Sequence, residues 1–168
     1  MKEQVLTAAE NMQYFTFILG DEVFSMELQN VREVLDYTSI TRIPRMPDFM
    51  LGVINLRGNV VPVVNLRLKL GMEAGERTVN TCIVIVELEI EGELTQIGAV
   101  ADAVKEVLYL ERSNISPPPR IGTNLKTGFL KGMGKKDDEF IMILDIGKVF
   151  ADEELSAVRE MGGQAAAE

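Results

Sequence analysis

Apolar and polar residues alternate with a period of two along much of this chain, the spacing of strands with one face buried. In YFTFIL, Phe15, Phe17 and Leu19 fall on one face. VFSMEL sets Phe24, Met26 and Leu28 against Ser25 and Glu27, and VELEIE sets Val86, Leu88 and Ile90 against Glu87, Glu89 and Glu91. Two stretches, Val60 to Val64 and Ile141 to Leu144, are continuously apolar and predict strands covered on both faces. Pro62 has no N–H to give a ladder, which places the first of them at a sheet edge or a bulge. Turns are expected at Gly20-Asp21, Gly71, Gly75, Glu91-Gly92 and Lys135 to Asp138. One short C-terminal helix is expected, capped by Asp152 and running through EELSAVREM with Leu155 and Val158 on one face. Residues 1–12 and 162–168 read as flexible tails.

The order of these elements repeats. FSMELQNVREVL (Phe24 to Leu35) matches IGAVADAVKEVL (Ile97 to Leu108), so that Val31, Arg32, Glu33, Val34 and Leu35 recur as Val104, Lys105, Glu106, Val107 and Leu108, 73 residues on. GVINLRG (Gly52 to Gly58), an apolar run and NLR are echoed by GFLKGMG (Gly128 to Gly134), an apolar run and DIGK, 76 residues on. Two matches in the same order predict duplicated units, about 13–75 and 78–150. Each unit of about 70 residues of short strands suits a small closed barrel, which leaves no strand edge exposed. In this alignment Gly52 falls on Gly128 and Met133 stands where Arg57 would be, so whatever Arg57 does is done once. Val34 and Val107 read as core.

Composition narrows the function. With 168 residues and 46% apolar content, the chain has material for one domain or two small subdomains. No apolar run approaches the roughly 18 residues of a membrane span, and the first residues lack a signal-peptide core, so a cytoplasmic protein without direct membrane insertion is expected. Histidine is absent, which removes the commonest general base and metal ligand together. With no paired-carboxylate signature, P-loop, GxGxxG or CxxC, neither an enzyme nor a cofactor or metal is expected. A net charge of -9 argues against nucleic acid, which demands a basic face. Cys82 reads as a small buried strand residue, and prolines 117–119 as a rigid linker.

Gly52 and Gly58 bracket INLR, where glycines permit positive φ or close backbone approach and so let the loop present Asn55 and Arg57. Two roles are open for Arg57. It either pins its own loop through a carboxylate, with Glu33 the candidate, or contacts a partner directly.

The segment GVINLRGNVVPVVNLR, preceded by VREVLDYTSITRIPRMP and followed by GFLKGMGKKDDEFIMILDIGKVF, resembles the CheW family of chemotaxis coupling proteins over residues 13–155. The resemblance implies a mainly β fold, a single domain of two interleaved SH3-like five-stranded β-barrel subdomains related by pseudo-symmetry. It also implies a non-catalytic scaffold that joins chemoreceptor cytoplasmic tips to the regulatory domain of the histidine kinase CheA, at receptor arrays on the inner face of the membrane. By the same resemblance, Val31, Glu33, Gly52, Asn55, Arg57, Gly58 and Val104 belong to a receptor-binding seam between the barrels. Tyr37, Thr38, Ile40 and Arg42 belong to the surface that meets the kinase, with Ile40 its exposed apolar residue; a merely solvated loop is the alternative there. Adaptors of non-flagellar chemosensory pathways share the motif set, and a structural oligomerising barrel protein outside signalling is the remaining alternative.

Overall fold

The computed structural model describes residues 11–117 and 127–150; the helix expected from Asp152, the tail 162–168 and prolines 118 and 119 lie outside them. Eleven strands are found among the described residues. They are β1 (Asn11–Leu19), β2 (Glu22–Glu27), β3 (Val31–Asp36), β4 (Met50–Leu56), β5 (Asn59–Asn65), β6 (Cys82–Ile90), β7 (Glu93–Ala101), β8 (Ala103–Glu111), β9 (Ile115–Ser116), β10 (Leu130–Lys136) and β11 (Glu139–Leu144). Two single-turn helices, α1 (Leu66–Lys69) and α2 (Ile146–Val149), follow β5 and β11. Both start under a side-chain cap: Leu68 N donates to Asn65 Oδ1 at 3.3 Å and Lys148 N to Asp145 Oδ1 at 3.2 Å. β1 begins at Asn11, inside the stretch expected to be a tail.

The alternation places the strands as expected. Phe15, Phe17, Leu19, Phe24, Met26, Val86, Leu88 and Ile90 are all buried, and so are the continuous runs Val61 to Val64 and Ile141 to Leu144. The strands form two sheets, ordered β3-β6-β7-β5-β4 and β8-β1-β2-β11-β10-β9. Strand for strand, β3, β6, β7, β5 and β4 correspond to β8, β1, β2, β11 and β10, and each sheet has one parallel pair, β5 with β7 and β11 with β2. The hairpin that opens each repeat therefore pairs with the later strands of the other repeat. Thr41 bridges to Val53 of β4, as Ser116 pairs with Met133 of β10, so the chain leaving each first strand folds back towards the last, an arrangement compatible with SH3-like barrels.

Register tests the two sequence offsets separately. Val31 faces Val86 and Val104 faces Phe17, with a bulge just after each, so the offset of 73 holds. The offset of 76 does not. Met50 and Gly52 face Val64 and Val63 across a bulge, and Leu130 and Gly132 face Leu144 and Ile143 across another. Gly52 therefore corresponds to Gly132, 80 residues on, and not to Gly128. Arg57 then corresponds to Asp137, not Met133, and both have left-handed backbone, φ 51° and 50°. The bulge selects the glycine: a Cβ on Gly132 would stand 2.7 Å from Ser116 O, whereas one on Gly128 would meet nothing within 4 Å.

Three cores result. One lies within each sheet's own curve, around Ile54, Val61, Val63, Ile83 and Ile85 in one and Tyr14, Leu108, Leu110, Ile141 and Ile143 in the other. The third and largest is shared between the sheets and centres on Phe17, Phe24, Val84, Val86, Leu66 and Phe150. Two expectations fail against this layout. Pro62 lies in β5, an interior strand, and is accommodated because parallel pairing to β7 begins one residue later, at Val63. Val34 and Val107 are 41% and 46% exposed. They face the same side as Val84 and Phe15, which enter the shared core, but β3 and β8 are edge strands at its margin, where the described residues cover them only in part.

Candidate functional site

The β4–β5 connection is a two-residue hairpin, with Leu56 paired to Asn59 across Arg57 and Gly58. Both turn residues have positive φ, 51° and 87°, the type I′ geometry that matches strand twist. Gly58 suits it without a Cβ, and Asn55 Oδ1 accepts from Gly58 N at 2.8 Å, closing the turn. Arg57 adopts the left-handed region without being glycine, a conformation that persists only when its surroundings hold it.

The hairpin holds that backbone, as it does for Asp137 in the other sheet, and Glu33 fixes the side chain. Arg57 Nη1 donates to Glu33 Oε1 at 3.3 Å and Nη2 to Oε2, a two-pronged pair. The hydrogen bond from Arg57 lowers the Glu33 carboxyl below its ordinary range, and the same bond raises the Arg57 guanidinium. Because β3 and β4 are the two edges of one sheet, the pair links its ends. The Arg57 side chain nevertheless stays 67% exposed against 28% for Glu33, so the guanidinium is fixed by one partner and open to another. The other sheet has no such pair. There Glu106 and Asp137 hold the corresponding places, both acidic, and Lys105 Nζ reaches Glu139 Oε1 at 2.6 Å instead.

A second group forms behind the turn. Thr41 N donates to Val53 O at 2.9 Å and Val53 N to Thr41 O at 2.8 Å. Gly52 is buried beneath this bridge with φ 143°; a Cβ there would lie 2.0 Å from Thr41 O and 2.9 Å from Ile40 Cγ2. Gly52 acts by admitting another backbone, not by touching a partner. Ile40 is half-buried and packs on the core within the sheet, correcting the expectation that it is an exposed apolar residue. Tyr37 packs on the same core, with the Arg77 guanidinium 4.6 Å from its ring centre. Of the four residues expected to meet the kinase, Thr38 and Arg42 are the exposed ones. Val31 is half-buried against the shared core, whereas Val104 is 44% exposed on the edge strand of the other sheet.

Three features were not singled out from sequence. Arg67 clasps Asp102 through Nε and Nη2, and Asp102 Oδ2 also accepts from Gly20 N at 2.7 Å, joining α1 to two strand ends. Lys69 is buried, with Nζ 4.2 Å from the Phe49 ring centre and 5.6 Å from that of Phe129. These rings are 80 residues apart, the true offset of the repeat. The third is the concave loop after Thr41, which carries Arg42 and Arg45. Cys82 is buried at the start of β6, and burial pushes its thiol pKa up, with Asp36 and Asp102 adding to the shift. Among the described residues no group of three or more His, Cys, Asp or Glu could hold a metal ion, and no helix is long and apolar enough to cross a membrane. What the arrangement offers is a fixed, exposed cation, a rigid turn and apolar strand margins.

Comparison with known proteins agrees with this architecture. The family model for the CheW-like domain matches residues 13–154. Chemotaxis protein CheW of Klebsiella aerogenes is 33% identical over 146 residues, covering 87% of this chain and 86% of that protein. Chemotaxis protein CheW of Helicobacter pylori is 32% identical over 83% of this chain and 82% of its own length. Protein FrzA of Myxococcus xanthus is 29% identical over 84% and 87% respectively. The crystal structure of the scaffolding protein TtCheW from Thermoanaerobacter tengcongensis superposes with a TM-score of 0.75 at 34% identity, covering 85% of this chain and 90% of that one. With the family model spanning nearly all the described residues and a solved relative superposing over most of the chain, this chain belongs to the CheW-like domain family.

Proposed function

We propose that this chain is a non-catalytic adaptor of chemotaxis signalling that couples chemoreceptor cytoplasmic tips to the regulatory domain of the histidine kinase CheA. The observation that carries this reading is the Glu33–Arg57 pair, a cation locked on a rigid turn yet exposed, in a chain whose relatives include chemotaxis and scaffolding proteins named CheW. The receptor surface comprises Val31, Glu33, Asn55, Arg57, Gly58 and Val104, with Gly52 positioning the backbone behind it. The apolar margins at Val31 and Val104 would take the apolar face of a receptor helix, and Arg57 its polar flank. The kinase surface comprises Tyr37, Thr38, Ile40 and Arg42, where half-buried Tyr37 and Ile40 form a floor and exposed Thr38 and Arg42 the rim. Residues 13–155 form the working domain, in the cytoplasm at receptor arrays. Small contacts of this kind gain strength from the multiplicity of an array.

Separate titrations of the full chain with a receptor tip and with the kinase regulatory domain test the reading. Binding to both, with Arg57→Glu abolishing only the first, supports it; binding to neither refutes it. A second reading has one observation in its favour, the match to Protein FrzA, a relative not named CheW. On that reading the adaptor serves a pathway that does not control flagella, and swapping the receptor tip in the same titration separates the two.

A further inference from the structure

The segment between β3 and β4 borders a half-open cavity of about 360 Å³ lined by Arg42, Ile43, Arg45, Met46, Met50 and Leu51, together with two of its prolines and Asp48. Apolar side chains in its floor continue into the protein's interior, since Met46 packs against the shared core and Leu51 against the core within the sheet, while the rest of its exposed lining is largely polar. Its rim is basic. Arg42 and Arg45 are both exposed, and Arg45 holds left-handed backbone at φ 62°.

The loop is held from both ends. The Thr41–Val53 bridge fixes its start, Met50 N donates to Pro47 O at 2.9 Å, and Asn65 N donates to Phe49 O at 2.7 Å. Pro44 and Pro47 restrict it further. Such a concavity exists before any partner arrives, which lowers the ordering cost of binding.

Charge separates this cavity from two other concavities among the described residues. Where Lys131 lines a cleft with Glu27, the two are paired at 2.9 Å, and where Arg67 lines another with Asp102, those two are paired as well. Arg32, Arg57 and Lys105 are likewise matched with carboxylates. Arg42 and Arg45 have no ion-pair or hydrogen-bond partner among the described residues, in a chain whose net charge is -9. Two guanidiniums without such partners, beside a mixed hollow floored by Met46 and Leu51, are complementary to carboxylates flanking an apolar side chain, and guanidinium is the cation best shaped to bind them.

We infer that the Arg42–Leu51 cavity is a docking site for an acidic segment of a partner protein, one apolar side chain entering the hollow while carboxylates on either side meet Arg42 and Arg45. The inference deepens the kinase reading, since Arg42 borders both surfaces: the part of the kinase regulatory domain that meets this loop carries acidic residues around an apolar anchor.

The full-length chain is titrated by NMR with two synthetic peptides, one leucine flanked by glutamates and its twin with glutamines, and separately with the kinase regulatory domain. The glutamate peptide is expected to shift resonances confined to residues 42–51, to bind at least about tenfold more tightly than its twin, and to weaken between 50 and 500 mM salt as surface charge pairs do. Arg42→Glu with Arg45→Glu should remove that difference, while Arg112→Glu, an exposed arginine elsewhere, should leave it. Equal binding of the two peptides, or binding of neither, overturns the site. If the glutamate peptide binds as expected but the kinase domain does not bind the unmodified chain, the kinase reading fails and the acidic-segment site stands. If the kinase domain binds the double variant as well as the unmodified chain, its contact lies elsewhere and the link to the kinase is overturned.

Discussion

Gly52→Ala is expected to destabilise the fold more than any other glycine-to-alanine change in the β4–β5 hairpin or its counterpart. The new Cβ would fall 2.0 Å from Thr41 O and 2.7 Å from Thr41 C, both backbone atoms that cannot swing aside as a side-chain end would. Relief requires the segment carrying Ile40 and Thr41 to move away, which breaks the two hydrogen bonds between Thr41 and Val53. Overpacking costs about 1–3 kcal/mol and each lost hydrogen bond about 1 kcal/mol, giving about 3–5 kcal/mol in all. Alanine must also adopt φ near 143°, which adds strain.

Two other glycines calibrate the estimate. Gly132, the counterpart in the other sheet, would place a Cβ 2.7 Å from Ser116 O, a milder clash expected to cost about 2–3 kcal/mol. Gly58 has positive φ but open space around it, so alanine there should cost only about 1 kcal/mol. Urea unfolding of the three variants reads the order directly, and at about 2–4 °C per kcal/mol a thermal melt should lower the Tm of Gly52→Ala by about 10 °C. A Gly52→Ala protein no less stable than Gly58→Ala would refute the reasoning, because it would mean the Thr41 bridge yields without cost.

Arg57→Glu places a carboxylate beside Glu33 and should abolish receptor-tip binding while kinase binding and Tm stay close to the unmodified values; parallel loss of all three in the same titrations and melt would make Arg57 structural only. The hydrogen bond from Arg57 holds the Glu33 pKa low, so its stabilising contribution is present above the ordinary glutamate value of about 4.3 and lost as pH falls through the lower folded-state value. The stability difference between the unmodified chain and Glu33→Gln should therefore be constant near neutrality and vanish in acid, and a difference that grew below pH 4 would contradict the pairing. Cys82, buried and with its pKa raised, should react with a thiol reagent at pH 8 far more slowly in the native protein than in urea, and comparable rates would mean that the β6 edge of the core opens readily.

How much of this was legible in the sequence depends on which physical constraint left a mark there. Alternation in β1, β2 and β6 was readable because each side chain's face is fixed by the pleat, whatever lies beyond it. Whether that face is covered is a separate matter, and Val34 and Val107 show the gap: their faces were assigned, but burial depends on a neighbour across the fold, and edge strands lack one. The offset of 73 survived because the bulge in β3 recurs in β8 at the same place in V-basic-E-V-L. The second offset failed because GFLKGMG contains three glycines, and only the backbone crowding at Ser116 O identifies Gly132 as the one that matters. Glu33 and Arg57 could be paired because an arginine between two glycines, with a family groove to place it, leaves few carboxylates to meet. Arg42 and Arg45 could not be connected with a cavity, because the hollow arises from hydrogen bonds at Val53, Phe49 and Asn65 that no local pattern encodes. The exchange of hairpins between repeats is the deepest case. A β1-β2 hairpin alternates identically whichever set of strands it joins, so the same sequence pattern fits swapped and unswapped sheets. Two short connections distinguish them, Leu28–Asn30 carrying the chain from β2 in one sheet to β3 in the other and Asp102 carrying it back from β7 to β8, and their composition does not reveal the crossing.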